Sequence, residues 1–311
     1  MNKLIAMLLL CILTLQARDV VDNTGLCQIN WTQGHIVCDG ESAEGQSSFA
    51  AKLAAKVIAQ RNLLEVVKGV QIDSEITIED GMQTSDVISS RVQGVVRGGQ
   101  IIANKYDSSK KSAVATIKLQ MGKDLLSALL SDPTKLSWNE KIDELWNNFS
   151  IISVAHASSS YTPKERETIQ KLLKDMRTQG NSVGVTYLEN ILETMNEESY
   201  TGILIDVSEL DNFKKAMIVR LVDENGHEVY PAKLVNKKTL MKRNTSVGYM
   251  FGVEDARKNR RVFDKPLELK VSSVYKNKRS NIVIDNEQLA LFNTLDKALL
   301  KKAKIILVLG E

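Results

Sequence analysis

Residues 47–69 read SSFAAKLAAKVIAQRNLLEVVKG, and the local signals agree on one helix. Ser47 or Ser48 can cap its start, and Gly69 stops it after Lys68. Ala50, Ala51, Ala54, Ala55 and Ala59 give it a smooth side, while Leu53, Val57, Leu64 and Val67 repeat at helical spacing as an apolar stripe. A helix with so little bulk on one side can lie close on a sheet, and strand signals flank it. Upstream, CQINWTQGHIVC (27–38) sets Ile29, Trp31, Ile36 and Val37 around a Gln33-Gly34 turn. Downstream, VQIDSEITIED (70–80) predicts an extended segment, and residues 85–97 predict a second helix with Val87, Ile88, Val92, Val95 and Val96 inward. GQIIANKY (99–106) and SAVATIKLQ (112–120) then form a hairpin about residues 107–111. The order ββ, α, β, α, ββ describes an α+β domain, bounded at residues 18–122.

Residues 123–198 change character and read as a mostly helical bridge. Capping boxes pair Ser137 with Glu140, Thr162 with Glu165 and Thr186 with Glu189. Pro163 opens a helix that stops at Gly180, FSIISVAHA (149–157) predicts a strand, and residues 158–161 form a joint. Residues 199–311 are again α+β. GILIDV (202–207) and AMIVRLV (216–222) predict strands, and Asp223 to Gly226 turns the chain into HEVY (227–230). A helix over 253–258, strands LELKVSSVY (267–275) and NIVI (281–284), a helix from Asn286 and the strand KIILVL (304–309) follow. The last strand is apolar almost throughout, which predicts a central, buried position. The fold class is therefore α+β, two α+β domains joined by a mostly helical middle region.

The chain opens with MNKLIAMLLLCILTLQA (1–17). A cation at Lys3, an apolar run from Leu4 to Leu15 and a small residue at Ala17 predict a signal peptide cleaved near Ala17. Cys11 lies inside the apolar run behind Leu10, which argues against a lipid anchor. No other run reaches membrane-spanning length, so the expected location is periplasmic or secreted. Charge is uneven along the 311 residues: residues 200–311 hold 21 Lys and Arg against 14 Asp and Glu, a balance of +7, and residues 1–199 hold 20 against 24, a balance of −4. Two basic clusters stand out, Lys237, Lys238, Lys242 and Arg243, and Arg257, Lys258, Arg260 and Arg261; they read as a solvated positive face or as a surface for anionic envelope polymers. No nucleic-acid motif accompanies them.

Cys27 and Cys38 remain after cleavage, and an oxidising compartment lets them form a disulfide. A two-residue turn places them diagonally and a turn shifted by one residue places them opposite. Catalytic chemistry is absent from the pattern. Three histidines, His35, His156 and His227, stand without paired spacing, and GVVRGGQ follows a helix instead of opening one, the wrong order for a phosphate loop. Acidic pairs occur at Asp73 with Glu75 and at Glu79 with Asp80, and in an extended segment Asp73 and Glu75 share one face, which reads as a solvated strand face. No enzyme, cofactor or metal site is expected.

AQRNLLEVVKGVQIDSEITIED (59–80), SDVISSRVQGVVRGGQIIANKY (85–106) and the upstream INWTQGHI resemble the domain shared by LPP20-family bacterial envelope proteins and the N-terminal part of flagellar assembly protein T. Ile58 departs from the Asp common there, which suits a core position. YTGILIDVSEL, AMIVRLVDENGHEVY and GYMFGVEDARKNRRVFDKPLELKV resemble the C-terminal domain of long exported relatives that carry the same module. The resemblance implies Arg61, Asn62, Asp73, Glu75 and Arg91 as pattern positions. They have a structural reading, in which Arg91 pairs with Asp86 or Asp73 and Asn62 satisfies nearby backbone, and a functional one, in which Arg61, Asp73, Glu75 and Arg91 form a subunit contact. The function implied is a non-enzymatic exported envelope protein that works by protein–protein contacts with other envelope proteins, as a flagellar basal-body or outer-membrane assembly or accessory factor. The alternative is a secreted adhesin-like or ligand-binding protein acting outside the cell.

Overall fold

The computed structural model describes residues 18–130, 163–178, 180, 184–186, 188–189, 200–231, 234–293 and 295–310. The expected signal peptide with Cys11, the Ser137 capping box, the 149–157 strand with His156 and the 158–161 joint lie outside the described residues. The fold is α+β.

The N-terminal half is a five-stranded antiparallel sheet. Its strands are β1 (Val21–Thr24), β2 (Cys27–Asn30), β3 (His35–Glu41), β4 (Gln100–Asp107) and β5 (Ser112–Gln120), in the spatial order β1-β2-β3-β5-β4. The loop between β2 and β3 holds Trp31 to Gly34, two residues more than a tight turn, and this register sets Cys27 directly opposite Cys38, which are disulfide-bonded.

Helix α1 (Ser48–Gly69) covers one face of this sheet, capped by Ser47, whose hydroxyl accepts from the Ala50 N–H. It buries Ala51, Ala55, Ala59, Leu63 and Val67. The alanines, and not Leu53 and Val57, meet the sheet: those two are about half exposed. The cause is closeness of approach. A Cβ on Gly40 of β3 would stand 2.2 Å from the Ala59 nitrogen and 2.5 Å from the Ala55 carbonyl oxygen, so helix backbone rests on strand backbone with no room for larger side chains.

The segment expected to be extended through Ile78 is instead a short loop and a helix. Gln71 bridges Thr77, Ile72 N–H donates to the Ile76 carbonyl, and α2 (Ile78–Thr84) follows. Thr77 and Asp80 form a reciprocal capping box at its start, and these interactions outweigh the β-preference of Ile76 and Ile78. Ser85 caps α3 (Asp86–Arg97), whose Ile88, Val92 and Val96 are buried while Val87 faces out. After β5 the chain enters a π-helical turn (Met121–Leu126) and the short helix α4 (Ser127–Leu130), which bury Leu125, Leu126, Leu129 and Leu130. Helix α5 (Pro163–Thr178) begins at Pro163 as the sequence predicts.

The C-terminal half holds two four-stranded sheets. Its elements are β6 (Gly202–Asp206), β7 (Arg220–Val222), β8 (Glu228–Tyr230), α6 (Lys237–Arg243), β9 (Gly248–Phe251), α7 (Val253–Arg257), β10 (Pro266–Lys270), β11 (Val274–Tyr275), β12 (Lys278–Val283), α8 (Asn286–Asn293), α9 (Lys297–Lys301) and β13 (Ile305–Leu309). One sheet runs β10-β6-β13-β9 and is parallel throughout; the other runs β11-β12-β7-β8. The closing strand β13 is central, as its composition predicts. Its Ile305 and Leu307 enter the large core, and its Ile306 and Val308 enter a second cluster with Leu204, Met250, Ala256 and Val262. Burial on both faces is what an unbroken apolar strand requires. The large core is continuous with that of the N-terminal half.

Candidate functional site

The junction between the halves gathers most of the chemistry-bearing residues. The loop after α1 lies against the segment that leads into β7: Met217 N–H donates to the Gln71 carbonyl at 3.0 Å and Ile218 N–H to the Ile72 carbonyl at 2.8 Å. Asp73 sits at the end of this pairing, 1% exposed. One carboxylate oxygen accepts from the Glu75 and Ile76 N–H groups, at 2.8 and 3.1 Å, and shapes the loop. The other accepts from the Arg220 guanidinium at 2.9 Å. Arg220 also faces Glu228 at 3.4 Å. A buried charge must be paired and hydrogen-bonded to be tolerated, and both Asp73 oxygens are satisfied.

Two further ion pairs cross the junction with the same polarity. Glu75 meets Lys278 at 2.7 Å and Asp22 meets Lys215 at 2.9 Å, each carboxylate coming from the N-terminal half and each cation from the C-terminal half. The opposite charge balances of the two parts of the sequence therefore meet in space. Beside them, the Trp31 and Tyr249 rings pack edge to face with centroids 5.5 Å apart and planes at 68°. Trp31 Nε1 donates to Asp22 at 2.7 Å, Thr32 Oγ1 donates to the Tyr249 carbonyl at 2.8 Å, and the Tyr249 hydroxyl donates to the Ala216 carbonyl at 2.6 Å. Burial pushes the Tyr249 phenol above its usual range, so it remains a donor.

Asn244 joins three segments. Its Oδ1 accepts from Gly122 N–H at 3.0 Å and its Nδ2 donates to the Gln33 carbonyl at 3.2 Å. Gly34 and Gly122 both lie where a Cβ would strike Asn244, at 2.3 and 2.7 Å.

The structure brings Asp73 and Glu75 together at this junction. The partner of Asp73 is Arg220, so its charge is engaged within the chain and not displayed to a second subunit. Asn62 donates from Nδ2 to the Asp39 carbonyl at 2.7 Å, pinning α1 to β3. Arg61 is exposed on α1 and Arg91 half-buried on α3. Sequence reasoning missed Arg220, Lys278 and Lys215, whose available signal was the uneven charge along the chain.

Elsewhere, among the described residues, no group of three or more His, Cys, Asp or Glu side chains could hold a metal ion. His35 is half-buried on β3, and burial, with Lys118 beside it, holds its imidazole below the usual range. His227 is exposed and lies 2.9 Å from Asp223. A cleft of about 370 Å³ opens between Lys270, Ser272, Ser273, Tyr275, Asp285 and Gln288. The outer side of α1 presents Phe49, Leu53 and Val57 to solvent, and the edge strand β4 presents Ile101 and Ile102. Asn104 of β4 donates to the Lys52 carbonyl and Tyr106 to the Gln46 carbonyl, so these apolar residues belong to one flank of the molecule. No helix among the described residues is long and apolar enough to cross a membrane.

No curated protein matches the chain. Residues 202–311, from β6 through both C-terminal sheets to the end of the chain, match the family described as Treponema pallidum Tp0624, second domain, so this part of the chain is similar to a bacterial domain.

Proposed function

We propose that the chain is a non-enzymatic, exported protein of a bacterial cell envelope that acts by binding other proteins, with an LPP20-like N-terminal half. Its setting is flagellar or outer-membrane assembly, and its location after cleavage near Ala17 is periplasmic or secreted. The observation that carries the reading is the open flank of the N-terminal half. Strand β4 is an eight-residue edge of an antiparallel sheet, and apolar side chains of α1 and β4 stand exposed beside it. An open edge with neighbouring apolar surface fits an extended strand of a partner protein, whose backbone would add to the sheet while its side chains cover Leu53 and Val57. The Cys27–Cys38 disulfide supports an oxidising compartment, and the match of residues 202–311 supports a bacterial source.

Crosslinking in whole cells, followed by identification of partners from the envelope fraction, tests this reading. Wild-type chain should capture envelope proteins, basal-body components among them, and Leu53→Asp with Val57→Asp should abolish capture while the melting temperature holds, because both side chains face solvent. Equal capture by the double variant would remove the β4 flank from the interface.

The open cleft beside Ser272 and Ser273 favours a second reading, a secreted ligand-binding or adhesin-like protein. Recovery mainly in the medium, with binding to a host surface that Gln288→Ala weakens, would support that reading over the first.

A further inference from the structure

Strands β10, β6, β13 and β9 all run in one direction, so the segments that lead into them arrive at the same end of the sheet. Three of these segments are basic. Lys242 and Arg243 end α6 shortly before β9, Arg260 lies in the loop before β10, and Lys301 and Lys302 precede β13 at the end of α9. Neighbouring strands stand ~4.8 Å apart, so the first residues of β10, β13 and β9 lie within about 15 Å of one another at the backbone. The other end of the sheet carries Asp206 at the close of β6 and Glu254 and Asp255 just after β9. That end also carries Lys270 at the close of β10 and Arg257 at the close of α7, but these cations are paired, with Glu209 and with Glu254 and Glu268. Among the described residues, the two ends therefore differ in the unpaired positive charge that stands where the strands begin.

Arg261 fastens the basic segments to each other. Its Nε donates to the Ala303 carbonyl before β13 at 2.7 Å, and its Nη2 to the Thr245 and Ser246 carbonyls before β9, both at 3.0 Å. Burial pushes its guanidinium down to about 10, which leaves it charged at neutral pH and adds to the positive field. The loop that carries Arg260 is thereby tied to the segments that follow α6 and α9. Lys242, Arg243, Arg260, Lys301 and Lys302 make no ion pair among the described residues. Of the nearby carboxylates, Asp296 is engaged as the cap of α9, accepting from Ala298 N–H at 2.8 Å, and Asp264 is exposed. Phe263, 59% exposed, projects from the same loop as Arg260.

We propose that this end of the parallel sheet is a peripheral docking surface for a bilayer carrying anionic phosphate headgroups, with Phe263 entering the headgroup layer. Clustered Lys and Arg supply attraction to an anionic leaflet that salt screens. An exposed aromatic side chain beside them separates a bilayer from a soluble polyanion, because only the bilayer offers an apolar layer beneath the phosphates. This surface is distinct from the β4 flank, so its failure leaves the protein-binding reading untouched.

Co-sedimentation of the purified full chain with vesicles tests it, comparing phosphatidylcholine alone with equal parts phosphatidylcholine and phosphatidylglycerol. The chain should sediment with the anionic vesicles only and be released by high salt. Arg260→Gln combined with Lys301→Gln and Lys302→Gln should weaken binding by more than about tenfold, from roughly a kcal/mol per cation; the Lys301→Gln, Lys302→Gln pair serves if the triple variant melts early. Phe263→Ser should weaken vesicle binding and leave binding of soluble polyphosphate unchanged. Equal sedimentation with phosphatidylcholine alone, full binding by both the triple and the double variants, or capture of polyphosphate without any vesicle binding overturns the proposal.

Discussion

The antiparallel sheet of residues 21–120 and the parallel sheet of residues 202–309 bury themselves by different means. In β5, Ala113, Ala115, Ile117 and Leu119 are buried while Val114, Thr116 and Lys118 are not, so a single face is covered and α1 covers it. That contact depends on thinness, since Gly40 meets the backbone of α1 at Ala55 and Ala59. In β6 and β13, consecutive residues are buried: Ile203 and Ile205 in the large core, Leu204 on the opposite face with Ile306 and Val308. The one-sided sheet is sensitive to added bulk, and the two-sided sheet to loss of a strand.

Deleting residues 305–311 is the largest test of this contrast. β13 stands between β6 and β9, and Ile305, Ile306, Leu307 and Val308 are all buried. Each such side chain contributes roughly 1.5–3 kcal/mol, against a net stability of about 5–15 kcal/mol for an ordinary domain. The C-terminal half should fail to fold and be cut rapidly by protease. A retained cooperative melting transition with protected β6 would show that the parallel sheet does not rest on its central strand.

What was legible in the sequence follows the same contrast. The strands of the parallel sheet announce themselves, because burial on both faces demands unbroken apolar runs such as IILVL. The α1 helix was equally plain, and so was its smooth alanine side; that Leu53 and Val57 of the apolar stripe would stay outside was not. Hydrophobicity favours Leu53 and Val57, while the sheet selects Ala51, Ala55 and Ala59 because Gly40 lets the backbones approach, a fact of three-dimensional distance. Helix α2 carried a signal of its own in Thr77 and Asp80, overridden in reading by Ile76 and Ile78. Of the junction, Asp73 and Glu75 emerged from the resemblance to LPP20-type sequences, and the Trp31 to Tyr249 and Asp73 to Arg220 contacts did not. Partners separated by well over a hundred residues leave no local spacing to read. The charge imbalance, −4 against +7, was their trace.

Asp73→Ala probes how the two halves are held together, since its partner Arg220 lies in β7 of the second C-terminal sheet. The substitution takes away the 2.9 Å carboxylate partner of Arg220 and leaves Glu228 at 3.4 Å as the remaining one, so the cost should fall below the roughly 3–5 kcal/mol of a buried pair broken to leave a lone charge. Urea denaturation should show that loss, with the two halves separating before either unfolds if the junction is weaker than the cores. Replacing both partners, Asp73→Leu with Arg220→Met, should recover most of it; no recovery would assign the loss to the loop geometry that Asp73 holds through Glu75 and Ile76 N–H.

A smaller effect is expected inside the one-sided sheet. Gly40→Ala adds one methyl where helix backbone already stands 2.2 Å from the Cβ position, and overpacking of this kind costs about 1–3 kcal/mol. Because the obstacle is backbone, thinning the helix further with Ala59→Gly should give no rescue. A rescue, seen as a restored denaturation midpoint, would mean that side-chain bulk sets the spacing of α1 from β3 and that the contrast between the sheets is weaker than drawn.

Glu75→Ala gives the smallest change and the finest comparison, since Glu75 lies two residues from Asp73 and makes the same kind of pair across the same junction. The Glu75–Lys278 pair is 46% and 42% exposed at its side chains, where Asp73 and Arg220 are 1% and 9%. Water and salt screen the exposed pair, and holding two long side chains in one geometry offsets part of the attraction, so its contribution is at most about 1 kcal/mol. The denaturation midpoint of Glu75→Ala should stay close to wild type and should change less with added salt than that of wild type. A loss as large as that of Asp73→Ala would place the strength of the junction in its exposed rim instead of its buried charge, and would make the junction, more than either sheet, the element that salt and partner binding could open.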